Sequence, residues 1–230
     1  MQRNNHKTKF YLLITTLITI ILIIGFARYF RTIFWGGLES PFFIHAHVLL
    51  FFTWVFFYTS QALLPAFGRV DLHKKLGRFG LPLALFIVVD GLYVTFDRFV
   101  LRIEKGDIEG ARFFLLQPFT DMIIFPTLII AAFYYRKKPQ IHKRLMLLAT
   151  LFLTVAAIVR VQSGIPGFNL LLWVSPIMIA ILYDYYTKRI IHPVYLFGIF
   201  LFTLVYCRKI LLWNTPLWDS FSNWMVSVFS

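Results

Sequence analysis

Long apolar runs alternate with short polar breaks along the whole chain. Runs near the length of a bilayer crossing, about 20 residues, fall at 10–28, 44–66, 76–97, 113–135, 143–162, 169–187 and 193–213. The breaks between them read "FWGGLESP", "LPAFGRVDLHKK", "DRFVLRIEKGDIEGAR", "YYRKKPQIHKR", "RVQSGIPG" and "YYTKRIIHP". Each holds Gly, Pro or charge clusters that interrupt a spanning helix. None is long enough for a second domain. The pattern predicts an all-α membrane bundle of seven spans, one domain over residues 1–230, with a four-helix core from spans two to five. Residues 215–229 predict an interfacial helix, with Thr215 as its cap, Pro216 in its first position, and Trp218 and Trp224 suited to the headgroup zone.

Composition agrees with lipid as the solvent. The 230 residues are 59% hydrophobic and only 14% charged, with a mean hydropathy of +0.74. A soluble domain of this length cannot hide that much apolar surface. The single cysteine, Cys207, excludes an internal disulfide framework and any zinc site built on several cysteines.

The net charge of +13 would suggest nucleic acid in a soluble protein. Here the basic residues sit in short loops and set orientation, so no nucleic-acid partner is expected. Arg3, Lys7, Lys9, Arg69, Lys74, Lys75, Arg136, Lys137, Lys138, Lys143, Arg144, Lys188 and Arg189 fall on one side with few acids. The opposite loops mix Arg98, Arg102 and Lys105 with Asp97, Glu104, Asp107 and Glu109. The rule places the first side in the cytoplasm, with the N-terminus inside and the C-terminus outside. The basic start "MQRNNHKTK" also suits a signal peptide. The apolar run behind it is too long for one, so it reads as an uncleaved anchor. Arg208 and Lys209 are awkward in this scheme, because they fall near the outer end of the last span and are expected to snorkel.

A short internal repeat adds to the picture. "LHKKLGRFG" begins span three and "IHKRLMLLA" begins span five, both with His-Lys-basic-Leu at the cytoplasmic face. The match is compatible with duplicated hairpins and with chance.

The polar groups within the spans form two levels. His73, His142 and His192 each open a span at the cytoplasmic level. At the outer level, His45 and His47 open span two. Asp90 lies about 25 Å beyond His73 at ~1.5 Å per residue. Gln117 and Asp121 fall in the outer half of span four, and Arg160 and Gln162 close span five. Ionisable groups at such depth face a bundle interior or a wet cavity. Asp121 and Arg160 are the first expected ion pair, within a buried cluster with His45, Asp90, Gln117 and Gln162. His45, His47 and Asp121 are candidate metal ligands, although residues two apart on a regular helix point about 200° apart. The two rings converge only if the chain is extended there, which Pro41 permits. The alternative is that each makes a separate local contact. His73 and His142 are candidate cofactor ligands, since two helices presenting imidazoles at one depth can hold a haem iron axially or another metal. They are equally readable as loop histidines beside lysines. Glycine-rich nucleotide loops, zinc-protease helices and nucleophile elbows are absent from the sequence.

At "HAHVLLFFTWVFFYTSQALL", "LHKKLG", the aspartate of "PFTDMIIF", and "IHKRLMLLAT" followed by Arg160, the chain resembles a poorly characterised family of small bacterial multi-span membrane proteins. That family implies the architecture, without an activity; the expected location is a bacterial inner membrane. More distantly, the chain is similar to transmembrane cytochromes b of the ascorbate-reducible type. Those pack a four-helix core and ligate each haem by histidines from alternate helices, which implies His73 and His142 as one haem pair. Span four departs from that pattern. It offers Gln117 and Asp121 in place of a second histidine, so a second haem is not implied.

Together these readings predict a multi-pass protein that binds haem b or a transition-metal ion through histidines. Its expected role is electron transfer or respiratory-complex assembly, with a quinone or a respiratory complex as partner. The alternatives are a non-redox membrane enzyme using the outer His/Asp/Arg layer and an accessory subunit without a cofactor.

Overall fold

The computed structural model describes residues 2–35, 41–161 and 164–229. They are almost all helical, with no strand among the described residues. The helices are α1 (Gln2–Trp35), α2 (Phe42–Ala66), α3 (Val70–Gly77), α4 (Gly80–Glu104), α5 (Ile108–Tyr134), α6 (Pro139–Leu153), α7 (Val155–Ile158), α8 (Phe168–Lys188), α9 (Pro193–Leu212) and α10 (Pro216–Phe229). Six stretches are long and apolar enough to cross a membrane, and the pair α3–α4, apolar enough together but bent by 41° at its break, makes a seventh if it is one span. The chain is a multi-pass membrane protein. The predicted third span begins inside α3, a charged helix that lies against the end of α2 and turns at Gly77–Gly80 into the apolar α4.

α6 and α7 form the axis. Of the crossing window Pro139–Ile158, 72% is buried, against 28–39% for the other five straight crossings. Helices α2, α4, α5 and α6 pack around one another in a ring, as expected for spans two to five. α1, α8 and α9 cover the other side of α6–α7. Small residues allow the tight crossings. A Cβ on Gly25 would collide with the Ala157 carbonyl oxygen, and one on Gly198 would stand 2.6 Å from the Leu148 side chain. Those are closer than any side chain tolerates. The axis itself breaks at Thr154, whose backbone N–H is shared between the carbonyls of Thr150 and Leu151. Its hydroxyl also donates to Leu151 O at 2.6 Å, tightening the turn.

The last helix differs from the sequence expectation in one respect. Thr215 does cap it, with the Trp218 N–H donating to Oγ1 at 3.3 Å. Trp224 is exposed, but Trp218 is buried with Phe99, Ala111, Leu115, Leu116 and Met225 in a second small core. The cause is a polar clamp: Arg112 of α5 donates to Asp219 at 2.5 Å and to Ser222 Oγ at 2.9 Å. That clamp draws the Trp218 face of α10 onto α4 and α5.

Candidate functional site

α2 is already helical from Phe42, and the extended residue is Pro41, ahead of both histidines. His45 and His47 therefore diverge, as helical geometry requires. His45 Nδ1 and Tyr29 Oη of α1 share a hydrogen bond of 2.7 Å. His47 turns the other way, and its Nδ1–H donates to Asp90 Oδ2 of α4 at 2.6 Å. A carboxylate on Nδ1 orients the ring and leaves Nε2 as an acceptor.

His47 lines a cavity of about 490 Å³ between α2, α4, α5 and the α6–α7 axis. Its walls are largely aromatic, with Phe51, Phe113, Phe114, Phe125 and Phe152. The polar lining is His47, Thr95, Arg102, Gln117, Asp121, Arg160 and Lys209. Four residues expected in one layer thus do share one space: His47, Gln117, Asp121 and Arg160. Asp90 joins them through His47. His45 leaves the layer for Tyr29, and Gln162 lies outside the described residues.

Two sequence expectations are corrected here. Asp121 pairs not with Arg160 but with Arg208, at 2.7 Å, and the same guanidinium reaches Thr120 Oγ1 at 3.4 Å. Arg208 does not snorkel; it is 7% exposed and points inward from α9. A carboxylate within reach inside the bundle outweighs the path to the headgroups, because pairing removes two unmatched charges together. Arg160 falls beyond the end of α7. It bonds the Ala156 carbonyl of its own chain and lies 5.2 Å from the Phe26 ring centre. The second correction concerns the metal set. His45, His47 and Asp121 have three different partners, and no group of three or more His, Cys, Asp or Glu able to hold a metal exists among the described residues.

The other histidine pair does meet. His73 and His142 stand with ring centroids 6.5 Å apart and planes at 71°. Each ring is fixed through Nδ1–H, His73 to the Gln61 carbonyl at 3.1 Å and His142 to the Ala132 carbonyl at 2.8 Å. The reason lies in the backbone. Gln61 O would normally accept from residue 65, which is proline and has no N–H. Ala132 O belongs to the last turn of α5, where carbonyls lose their helical donors. In both hairpins, therefore, a histidine that opens the second helix satisfies a carbonyl near the end of the first. This is the same device at both copies of the His-Lys-basic-Leu repeat. It also fixes the tautomer, leaving Nε2 of each ring as the atom available to a ligand. Beside them the Gln61 side chain is 8% exposed, and neither its amide nitrogen nor its oxygen has a hydrogen-bond partner. A Cβ on Gly77 would stand 3.3 Å from that oxygen, which places the amide against α3 one turn beyond His73. His192 does something else: its Nδ1 accepts from the Val194 N–H at 3.3 Å and caps α9. Burial first, and then the charge of Arg144, draw its pKa below the ordinary imidazole value.

The sequence reading missed one buried ion cluster. Arg144, counted there as an orientation signal, is 1% exposed; its Nε donates to Asp184 Oδ2 at 2.9 Å and its Nη2 bonds the same oxygen. Lys188 joins Asp184 at 3.1 Å, and the Gln140 carbonyl accepts from Arg144 at 2.5 Å. The available signal was Asp184 itself, a lone carboxylate inside an apolar run.

Comparison with protein-family models, curated proteins and solved structures returns no match.

Proposed function

We propose that the protein is a redox component of a bacterial cytoplasmic membrane that holds haem b or another transition-metal ion between His73 and His142, for electron transfer or for the assembly of a respiratory complex. The observation that supports it is the histidine pair. Two imidazoles on one metal, with bonds of about 2 Å, set their ring centres about 6 Å apart, and these centroids are 6.5 Å apart. Both rings have Nδ1 committed to a backbone carbonyl, the arrangement that readies Nε2 for a metal. The unpartnered Gln61 amide beside them is a further polar group without a protein partner. When bound, haem b supplies reversible one-electron chemistry. The chain orients the imidazoles and shields them from lipid, and Lys74, Lys75 and Lys143 offer positive charge beside them.

The test is a spectrum and a metal analysis of the purified chain. A Soret band that disappears in both His73→Ala and His142→Ala is expected. Stoichiometric colourless metal lost in the same variants supports a metal ion in place of haem. A protein with neither haem nor metal overturns the reading.

A second reading has its own observation. The His47–Asp90 pair presents an Nε2 acceptor on a ring that lines a cavity, which is the arrangement of a general base. It supports a non-redox membrane enzyme working at the other end of the bundle.

A further inference from the structure

The cavity beside His47 has an unbalanced charge inventory. Its ionisable lining, His47 aside, is Arg102, Arg160, Lys209 and Asp121. Asp121 is matched by Arg208 at 2.7 Å, and Arg102 lies 3.4 Å from Asp107. Arg160 and Lys209 have no carboxylate partner among the described residues. Each leans on an aromatic ring instead, Arg160 over Phe26 at 5.2 Å and Lys209 over Phe113 at 4.0 Å. Such contacts contribute about 0.5 to 2 kcal/mol and leave the net charge in place. Both residues are exposed, so they stand where the cavity opens. Behind them the lining turns apolar, with Phe51, Met122, Phe125 and Phe152. A volume of about 490 Å³ lies within the usual span of small-molecule sites, roughly 300 to 1,000 Å³.

Cations at a mouth and aromatic rings behind it describe the complement of an amphiphile. We propose that this cavity binds a single-chain amphiphile with an oxyanion head, the carboxylate or phosphate held by Arg160 and Lys209 and the chain laid along Phe51, Phe125 and Phe152. The Gln117 amide is a further donor to the head group. His47 Nε2, with Asp90 behind its ring, is a further polar atom on the same wall. A neutral quinone would fill the apolar part of this space and leave both cations unmatched, so charge decides for the acid. The inference stands independently of any metal at His73 and His142.

The experiment is native mass spectrometry of the full chain released from a non-ionic detergent. The probes are oleate, oleoyl lysophosphatidate, uncharged monoolein and a short-chain ubiquinone analogue. Oleate, lysophosphatidate or both should occupy the protein at about tenfold lower concentration than monoolein, as charge-assisted hydrogen bonds provide. Which acid binds tells a carboxylate source from a phosphate source. Arg160→Gln and Lys209→Gln should each lose that preference, while Arg160→Lys and Lys209→Arg keep it. Ala156→Phe, which fills the cavity and leaves the cations, should abolish binding of every probe. Equal binding of monoolein or the quinone to the native chain overturns the proposal, and that comparison holds even if a variant fails to fold. So does an undiminished acid preference in both glutamine variants.

Discussion

Arg144 and Asp184 show how much a single pair of side chains contributes in this molecule. Both are almost completely buried, Arg144 at 1% and Asp184 at 2% exposure. Losing one partner leaves the other charge buried and unmatched, at a cost of about 3 to 5 kcal/mol. Asp184→Ala should therefore lower the thermal unfolding temperature in detergent sharply. The double replacement Arg144→Met with Asp184→Leu should recover most of the loss, because a matched apolar pair carries no desolvation cost. Lys188→Gln is the control. That lysine side chain is 42% exposed, so its removal should cost below about 1 kcal/mol. A double variant as unstable as Asp184→Ala would show that the charges themselves are required. At this scale the sequence was only half legible. Asp90 and Asp121 were visible as costly residues inside apolar runs. Their partners were not, since a helix contains no record of which neighbour will face it. Asp121 found Arg208, a residue 87 positions away, and Asp90 found one of two histidines that looked equivalent in sequence.

At the scale of elements, the helices were nearly all readable because a bilayer demands long apolar runs and Gly, Pro and charges end them. The exceptions are instructive. α3 reads as part of a loop, and it is a separate helix because Gly77 and Gly80 allow a turn between a charged segment and an apolar one. α10 was readable as a helix, while its docking was not. It is held by Arg112, which reaches Asp219 and Ser222. Arg112→Ala should release it. Hydrogen exchange should then rise through Pro216–Phe229 and stay unchanged in α6, whose contacts do not involve that clamp. Unchanged protection in α10 would mean that the apolar contacts of Trp218 and Met225 hold it alone.

For the whole molecule, six straight stretches suit a crossing, and the total is an odd seven if the bent α3–α4 pair is one span. An odd number would put the two ends of the chain on opposite sides, and from the nearly acid-free basic loops we propose that the N-terminal side is cytoplasmic. A reporter fused after Arg189 should be active as a cytoplasmic marker, and one fused at the C-terminus as an external marker. The inverse result, external after Arg189 and cytoplasmic at the C-terminus, overturns that orientation and is the one expected if α3–α4 is a re-entrant hairpin. The histidine pair and the His47 cavity lie at opposite ends of the ring formed by α2, α4, α5 and α6, the pair on the inner side in the proposed orientation.

What the amino-acid order determined alone is what local physics dictates. Lipid as solvent, the positions of the crossings, the basic loops and the depth of each polar residue all follow from hydropathy and from 1.5 Å of rise per helical residue. The His-Lys-basic-Leu repeat also belongs here, as does the expectation that its two histidines share a level. Depth, however, leaves rotation about each helix axis undetermined, and rotation decides contact. Only packing around the buried α6 turned His73 toward His142, His45 away from His47, and Arg208 inward to take the carboxylate that Arg160 was expected to hold. Gly25 brings α1 against the Ala157 backbone, and Gly198 makes room on α9 for the Leu148 side chain, so those two helices can approach the axis on one face only. The cavity beside His47 has the same origin: no segment contains it, and it exists because helices rotated in this way leave an aromatic space with unmatched cations at its mouth.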